Sequence, residues 1–479
     1  MRQRAIAAAG ACAAAAVIGV VGVGGVAGLA PVAVAAPASP AVKAGPDFNG
    51  DGHPDLAVGA HTATVDGVKR AGVVTVAYGS ASGLTYDTAS VVSQATPGVP
   101  GEAVEDGKWR EVSDFGDLDG DGYDDLAVHW GEKNTVLWGS KDGITGAGTA
   151  LPAGSYRPES PKLLGGGFGV GDVNGDGVDD FVSRGNDGRS YGVSVLLGPL
   201  NRDTGKPAGV WHRDSARADK LVIGTVYVGD LTGDGVDDVV TSGGVVLGNG
   251  RPGGVVLKGS KDGLVKGSAF KGPYPTSHGG ALRGAFGDLN KDGFQDLVTG
   301  YPGQNKVYVT YGGPDGTSAT LKSRAYSQAS AGVPGVDEEG DKFGSALAIG
   351  DTDRDGYADL VIGAPYETGA DPATTAKSGA VTVLRGSADG ITTEGAKVLT
   401  QNSKGVPSAS ENDDHFGAAV TVTGSDVYVG GNGEDGYKGR VWRLPTGASG
   451  VTGTGATSFR LDTLGGPAGG GNFGYRMVG

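Results

Sequence analysis

One nine-residue pattern recurs six times along the chain, and no other feature of the sequence restricts the fold as strongly. The pattern is D-x-[D/N/T]-x-D-G-x-x-D followed by a short apolar run. It reads DFNGDGHPD at 47–55, DLDGDGYDD at 117–125, DVNGDGVDD at 172–180, DLTGDGVDD at 230–238, DLNKDGFQD at 288–296 and DTDRDGYAD at 351–359. Successive starts lie 70, 55, 58, 58 and 63 residues apart. Recurrence at such spacing marks a modular array in which one supersecondary unit is repeated.

Each unit carries a second landmark, an alternating apolar run that ends in a Gly-rich turn. The runs are VAYGSASGL, VLWGSKDGI, VVLKGSKDGL and VTVLRGSADGI, with variants at 311–316 and 196–205. Apolar alternation up to such a turn, resumed after it, is a hairpin signal. A unit therefore holds a strand, an Asp loop, a strand, a connection and a hairpin. Four antiparallel strands per unit is the arithmetic of a propeller blade, and the fold class expected is all-β. Composition agrees: 94 of the 479 residues are Gly, which disfavours long helices, while 38% hydrophobic residues suffice for a folded body.

Blade number follows from the two ends of the array. Phe416-Gly417-Ala418-Ala419-Val420 resembles Phe343-Gly344-Ser345-Ala346-Leu347, but Gly424-Ser425-Asp426 stands where an Asp loop is due. This is a seventh unit without its loop. The first unit begins at its Asp loop and lacks a first strand, whereas the chain finishes on 473–478 (FGYRMV), a strand start without a unit. The tail is expected to supply the missing strand and close a seven-bladed ring, removing the sheet edges that invite aggregation.

The loops suggest a cation. Carboxylates at positions 1, 3, 5 and 9, with Gly at position 6 for a sharp turn, gather hard oxygens, and the position 7 carbonyl and water complete a shell. Calcium takes about six to eight oxygens in irregular geometry, whereas magnesium demands a tighter octahedron, so about six Ca2+ sites are expected. The ligand sets are Asp47, Asn49, Asp51, His53 and Asp55; Asp117, Asp119, Asp121, Tyr123 and Asp125; Asp172, Asn174, Asp176, Val178 and Asp180; Asp230, Thr232, Asp234, Val236 and Asp238; Asp288, Asn290, Asp292, Phe294 and Asp296; Asp351, Asp353, Asp355, Tyr357 and Asp359. Position 7 enters through its backbone, and the loop with Thr232 is the weakest. An EF-hand would carry Glu at position 12, where this chain has Val58, Val128, Ser183, Thr241, Thr299 and Ile362. The alternative is that these are merely polar Asp/Gly turns. Crowded carboxylates repel one another without metal, so calcium is expected to bind and stabilise together.

The formal charge of −15 disfavours nucleic acid as a partner. Residues 1–35 begin with Arg2 and Arg4, continue through an uncharged stretch at 5–30 and reach Ala33-Val34-Ala35. This reads as a secretory signal, with a retained membrane anchor as its rival. Residues 36–46 read as a linker and 47–479 as the repeat domain. Cys12, the single cysteine, falls in the leader, so no disulfide ties the exported chain, and no membrane span is expected after cleavage.

The pattern resembles the FG-GAP repeat of the integrin α-subunit propeller and of bacterial secreted proteins built from the same repeat. Phe343-Gly344, the loop at 351–359 and Gly363-Ala364-Pro365 carry the resemblance, with Phe416-Gly417 and Gly59-Ala60 as partial copies. It implies a seven-bladed propeller with calcium loops between first and second strands on one face and ligands on the other. This chain has more metal loops than the family usually has, and no inserted metal-binding domain. The family also touches phospholipases that carry a propeller beside a catalytic domain, for which this length leaves no room.

Enzyme signatures are weak. Ser80, Ser140, Ser260 and Ser387 sit in repeated hairpin turns, whereas a nucleophile elbow needs G-x-S-x-G between strand and helix. The six histidines form no H-x-x-x-H pair. Residues expected on the face away from calcium include His61, Lys69, Arg70, Trp109, Trp130, Tyr301, Tyr366, Glu367 and His415, as ligand anchors or as packing within their own blades. Gln94, Gln328 and Gln401, each followed by Gly-Val-Pro, read as structural. The sequence supports a secreted, monomeric, non-catalytic binding or adhesion module for an extracellular protein or glycan. The rival is an extracellular hydrolase or lyase with its site at the propeller axis.

Overall fold

A computed structural model describes residues 45–479 apart from 108, 110, 131–132, 153–161, 187–190, 220, 246–252 and 272–283. The expected leader, Cys12 included, and all but the last two residues of the linker lie outside the described residues.

The described chain forms seven four-stranded antiparallel sheets. The second strands are Leu56–Ala60, Asp125–Trp130, Asp180–Asn186, Asp238–Val245, Asp296–Tyr301, Asp359–Ala364 and Asp426–Gly431. Leu56–Ala60 and Asp359–Ala364 are buried at every residue because neighbouring blades cover both faces. The outermost strands Thr85–Val92 and Thr392–Leu399 face solvent over much of their length. Apolar side chains gather into seven clusters, one at each seam between blades. At the first seam, for example, Ala57, Val74 and Val76 pack on Leu126, Val128 and Leu137. Among the described residues no helix is long and apolar enough to cross a membrane.

The tail closes the ring as expected. Arg476–Val478 is the innermost strand of the first blade, pairing Ala57 with Val478, Val58 with Met477 and Gly59 with Arg476. The seventh blade has lost its loop: Thr423 pairs directly with Asp426 across Gly424-Ser425, a two-residue hairpin with Gly424 at φ +61°.

The Phe-Gly and Gly-Ala signatures meet across seams. Gly417, at φ +91°, places its carbonyl against Gly363 so closely that any Cβ on Gly363 would collide with it. Gly344 faces Gly300 in the same way, and Gly474 faces Gly430. The aromatic beside each Gly is a plug: Phe343, Phe416 and Phe473 have no exposure. Trp109 plugs the second blade, its carbonyl against Gly72 as that of Phe416 is against Gly379. Its place among candidate ligand anchors is therefore taken by packing. Gly363→Ala is expected to cost about 1–3 kcal/mol. Gly303→Ala, with nothing within 4 Å of its Cβ, should change stability by less than about 0.5 kcal/mol. Urea midpoints at unchanged slope would check both.

Candidate metal centres

Each Asp loop joins the first strand of a blade to its second, and its own short hydrogen bonds shape it. In the first loop Asp47 Oδ1 accepts the Asp51 N–H (3.1 Å) and Oδ2 the Gly52 N–H (2.8 Å). Asn49 Oδ1 accepts the Asp51 N–H (3.0 Å), and Asp51 Oδ1 accepts the His53 N–H (2.9 Å). The bond from the position 7 N–H to the position 5 carboxylate recurs for Tyr123, Val178, Val236, Phe294 and Tyr357. Position 6 is left-handed Gly throughout. Position 4 is left-handed as well, which the pattern did not show: it is Gly in four loops, and Lys291 (φ 59°) and Arg354 (φ 65°) in the others.

The position 9 carboxylates have no exposure. One oxygen of Asp55 accepts the Phe48 N–H (2.8 Å) at position 2, and the other accepts the Gly79 N–H (2.8 Å) at the end of the third strand. Gly139, Gly198, Gly259, Gly312 and Gly386 donate in the same way to Asp125, Asp180, Asp238, Asp296 and Asp359. Burial is the dominant influence on these groups and the backbone donors oppose it. Asp55, Asp180 and Asp238 are pushed up to about 7, Asp125 and Asp296 to about 8, and Asp359 is also raised.

In the second loop one oxygen each of Asp117, Asp119 and Asp125 converge within 4.8 Å of one another, and in the sixth so do Asp351, Asp353 and Asp359. The position 5 carboxylates Asp121 and Asp355 stand outside these triads. The other four loops gather no such triad of acids among the described residues, because position 3 is Asn49, Asn174, Thr232 or Asn290. The donors are all oxygen and several are buried carboxylates, so the residues fit a hard divalent cation.

A pH effect follows. A carboxylate whose folded pKa exceeds its unfolded value favours folding while protonated, and that contribution is lost as pH rises through the folded value. Chelated protein should therefore lose stability between about pH 4 and pH 8, whereas calcium, by stabilising the ionised form, should flatten that slope. Melting curves across that range with and without chelator would check it.

Position 8, which the sequence reading left without a role, joins one loop to the next. The Asp124 N–H donates to the Asp47 carbonyl (3.2 Å) while its carboxylate accepts the Asp47 N–H (2.9 Å). Asp179 repeats both bonds to Asp117, and Gln295 repeats both to Asp230. Asp237 donates its N–H to the Asp172 carbonyl (2.9 Å). The signal was present as the DD doublet at positions 8 and 9 of loops two to four.

Away from the loops, some candidate anchors cluster and others do not. The rings of Tyr366 and His415 lie 4.9 Å apart, and those of His415 and Tyr437 6.0 Å, at the seam of blades six and seven. Lys377 Nζ stands 5.5 Å from the Tyr366 ring. Burial lowers the His415 pKa. Tyr366 and Tyr437 are exposed, whereas Tyr301 is buried. The His61 ring lies tilted against Tyr475 with centroids 4.6 Å apart, and Arg70 pairs with Asp106. The Trp130 side chain lies outside what is described. Gln328 donates to Glu367 (2.5 Å), which burial pushes up to about 7, and Gln401 donates to Glu434 (2.5 Å). The turn serines Ser80, Ser140, Ser260 and Ser387 each donate to the carbonyl of the Gly three residues on. Ser194 Oγ lies 2.9 Å from His212 Nδ1, but Ser194 has no exposure and lies within a cross-strand pair.

The FG-GAP repeat family matches residues 40–76, 282–319 and 343–384. The chain is 34% identical over 222 residues to integrin alpha pat-2 of Caenorhabditis elegans, covering 43% of this chain and 16% of that one. It is 32% identical over 224 residues to integrin alpha-5 of Xenopus laevis, covering 44% and 19%. It is 38% identical over 89 residues to phosphatidylinositol-glycan-specific phospholipase D of Rattus norvegicus, covering 17% and 10%. The matches thus span less than a fifth of these curated relatives. A solved Agrocybe aegerita lectin that recognises non-reducing terminal N-acetylglucosamine aligns at TM-score 0.42 and 18% identity, over 74% of this chain and 79% of that one. Repeats, relatives and seven closed blades agree: the chain is an FG-GAP repeat β-propeller of the integrin α N-terminal-like kind.

Proposed function

We propose that the chain is an exported, calcium-stabilised propeller that acts as a monomeric binding or adhesion module for an extracellular protein or glycan, without catalysis of its own. The observation that carries this reading is the division of labour between the two ends of the blades. Oxygen-rich loops fill the connections between first and second strands, where the ion would be held by the side chains of positions 1, 3, 5 and 9 and by the position 7 carbonyl. Bound there, calcium supplies charge that ties each loop to its blade. The connections from second to third strands instead present Tyr366 and Tyr437, exposed and with their rings gathered about His415. The relatives that are integrin α chains support binding, and the net charge of −15 speaks against nucleic acid. The leader at 1–35 supports export.

The test is a screen of the full chain on glycan and extracellular-protein arrays, with calcium and with chelator. A ligand captured with calcium, and weakened by Tyr366→Ala or Tyr437→Ala in a variant of unchanged melting temperature, is the expected result. A turnover of glycoside, ester or peptide substrates that survives purification would overturn it.

A further inference from the structure

The second and sixth loops differ from the rest in two ways that coincide. They alone carry Asp at position 3, Asp119 and Asp353, and hence four carboxylates. Among the described residues, they alone also have a guanidinium against a ligand carboxylate. Arg202 Nε pairs with Asp119 Oδ2 and its Nη2 with Asp121 Oδ2 (2.5 Å), while Nη2 also donates to the Gly139 carbonyl (3.2 Å). Arg385 Nη2 pairs with Asp353 Oδ2.

The two arginines reach these carboxylates from different parts of the fold. Arg385 ends the third strand of its own blade, Ala380–Arg385. Arg202 comes from the connection between Tyr191–Leu197 and Gly209–Arg213 in the neighbouring blade. Separate origins converging on the extra carboxylate make an accident of repetition a poor explanation. The seventh blade, without a loop, shows the same chemistry: Asp426, at the start of its second strand, pairs with Arg443 (2.6 Å).

The oxygens concerned are those an ion needs. Asp119 Oδ1 accepts the Asp121 N–H (3.2 Å), so Oδ2, the oxygen free of the backbone, is the one the arginine holds. Asp353 repeats this, with Oδ1 accepting the Asp355 N–H (3.2 Å) and Oδ2 on Arg385. A divalent ion in either loop must displace the guanidinium or accept its repulsion at close range.

We propose that Arg202 and Arg385 are built-in counter-cations that compete with the divalent ion for Asp119 and Asp353, making the second and sixth sites weaker and more concentration-sensitive than their four carboxylates alone would make them. This rests on the calcium reading of the loops. The side chains of Asp119 and Asp353 are 6% and 1% exposed, so the competition takes place largely out of water, where it is least screened.

The experiment is calorimetric titration of the chelated full chain with calcium, in the parent and in Arg202→Gln and Arg385→Gln. The parent should show more than one affinity class, with the second and sixth sites outside the tightest. Each variant should tighten one weak site roughly tenfold, keep the total number of ions, and melt at a lower temperature when chelated. If Arg202→Gln misfolds, Arg202→Lys, which keeps the charge but lacks the fork, should tighten that site less than tenfold but measurably. Calcium uptake with unmoved or weakened affinity in the variants overturns the competition alone. No uptake by the parent overturns the calcium reading and this inference with it.

Discussion

Stripping divalent ions from the purified chain is expected to lower its melting temperature by roughly 15 °C, and added calcium should restore it. Each site occupied at about a hundred times its Kd contributes about 2.7 kcal/mol, and six such sites act on a chain whose unfolding entropy scales with its length. The charge distribution works in the same direction. Position 9 is buried in every loop and is pushed up to about 7 or 8 in five of them, so each loop holds a carboxylate that ionises at a cost when no cation is near. Without disulfides, these loops are the main ties between the strand ends on that rim. Scanning calorimetry with chelator, and with calcium in excess, measures the shift. A transition that stays within about 2 °C would leave the loops as polar turns.

The second large effect is expected from deletion of residues 472–479. The deletion removes Arg476–Val478, the innermost strand of the first blade, and exposes the edge of Leu56–Ala60 that it pairs with. It also removes Phe473, which has no exposure and packs 6.0 Å from Phe459. Loss of a buried Phe side chain alone costs about 3–5 kcal/mol, and an exposed apolar edge strand invites association. The shortened chain should fail to give a cooperative transition near the parent's, or aggregate at concentrations where the parent does not. Phe473→Ala in the full chain separates packing from closure, since it keeps the strand and should lower the midpoint by a smaller amount. Calorimetry and sedimentation of both variants decide the matter.

Much of the architecture was legible because glycine, aspartate and apolar alternation recur in phase. The motif at 351–359 and the turns near Ser80 or Ser387 each specify a local shape, and repetition multiplied a weak signal into a blade count. The missing loop at Gly424 and the orphan strand at 473–478 were visible for the same reason. What lay beyond reach involved contacts between units. That Trp109 would stand in for a Phe plug could not be told from its neighbours, because a seam is formed by residues tens of positions apart. The sequence showed Asp119 and Asp353 as extra ligands, but nothing in it placed Arg202 or Arg385 beside them. Position 8 was hidden differently: nothing in the pattern assigned its acids a role, and Asp124 and Asp179 prove to bond the backbone of the preceding loop.

That bonding is unevenly distributed. Loops two to five reach back to their predecessors through Asp124, Asp179, Asp237 and Gln295, while position 8 of the first loop is Pro54 and that of the sixth is Ala358, neither of which has a side-chain acceptor. The paired glycines occupy the complementary arc, across the seams on either side of blades six and seven. The molecule is thus a hoop with two kinds of fastening. Four seams are laced along the rim of the Asp loops, and three are pinched together by naked backbone. A change in ion supply should slacken the laced arc first, leaving the pinched arc, with its aromatic cluster, as the part that holds its shape.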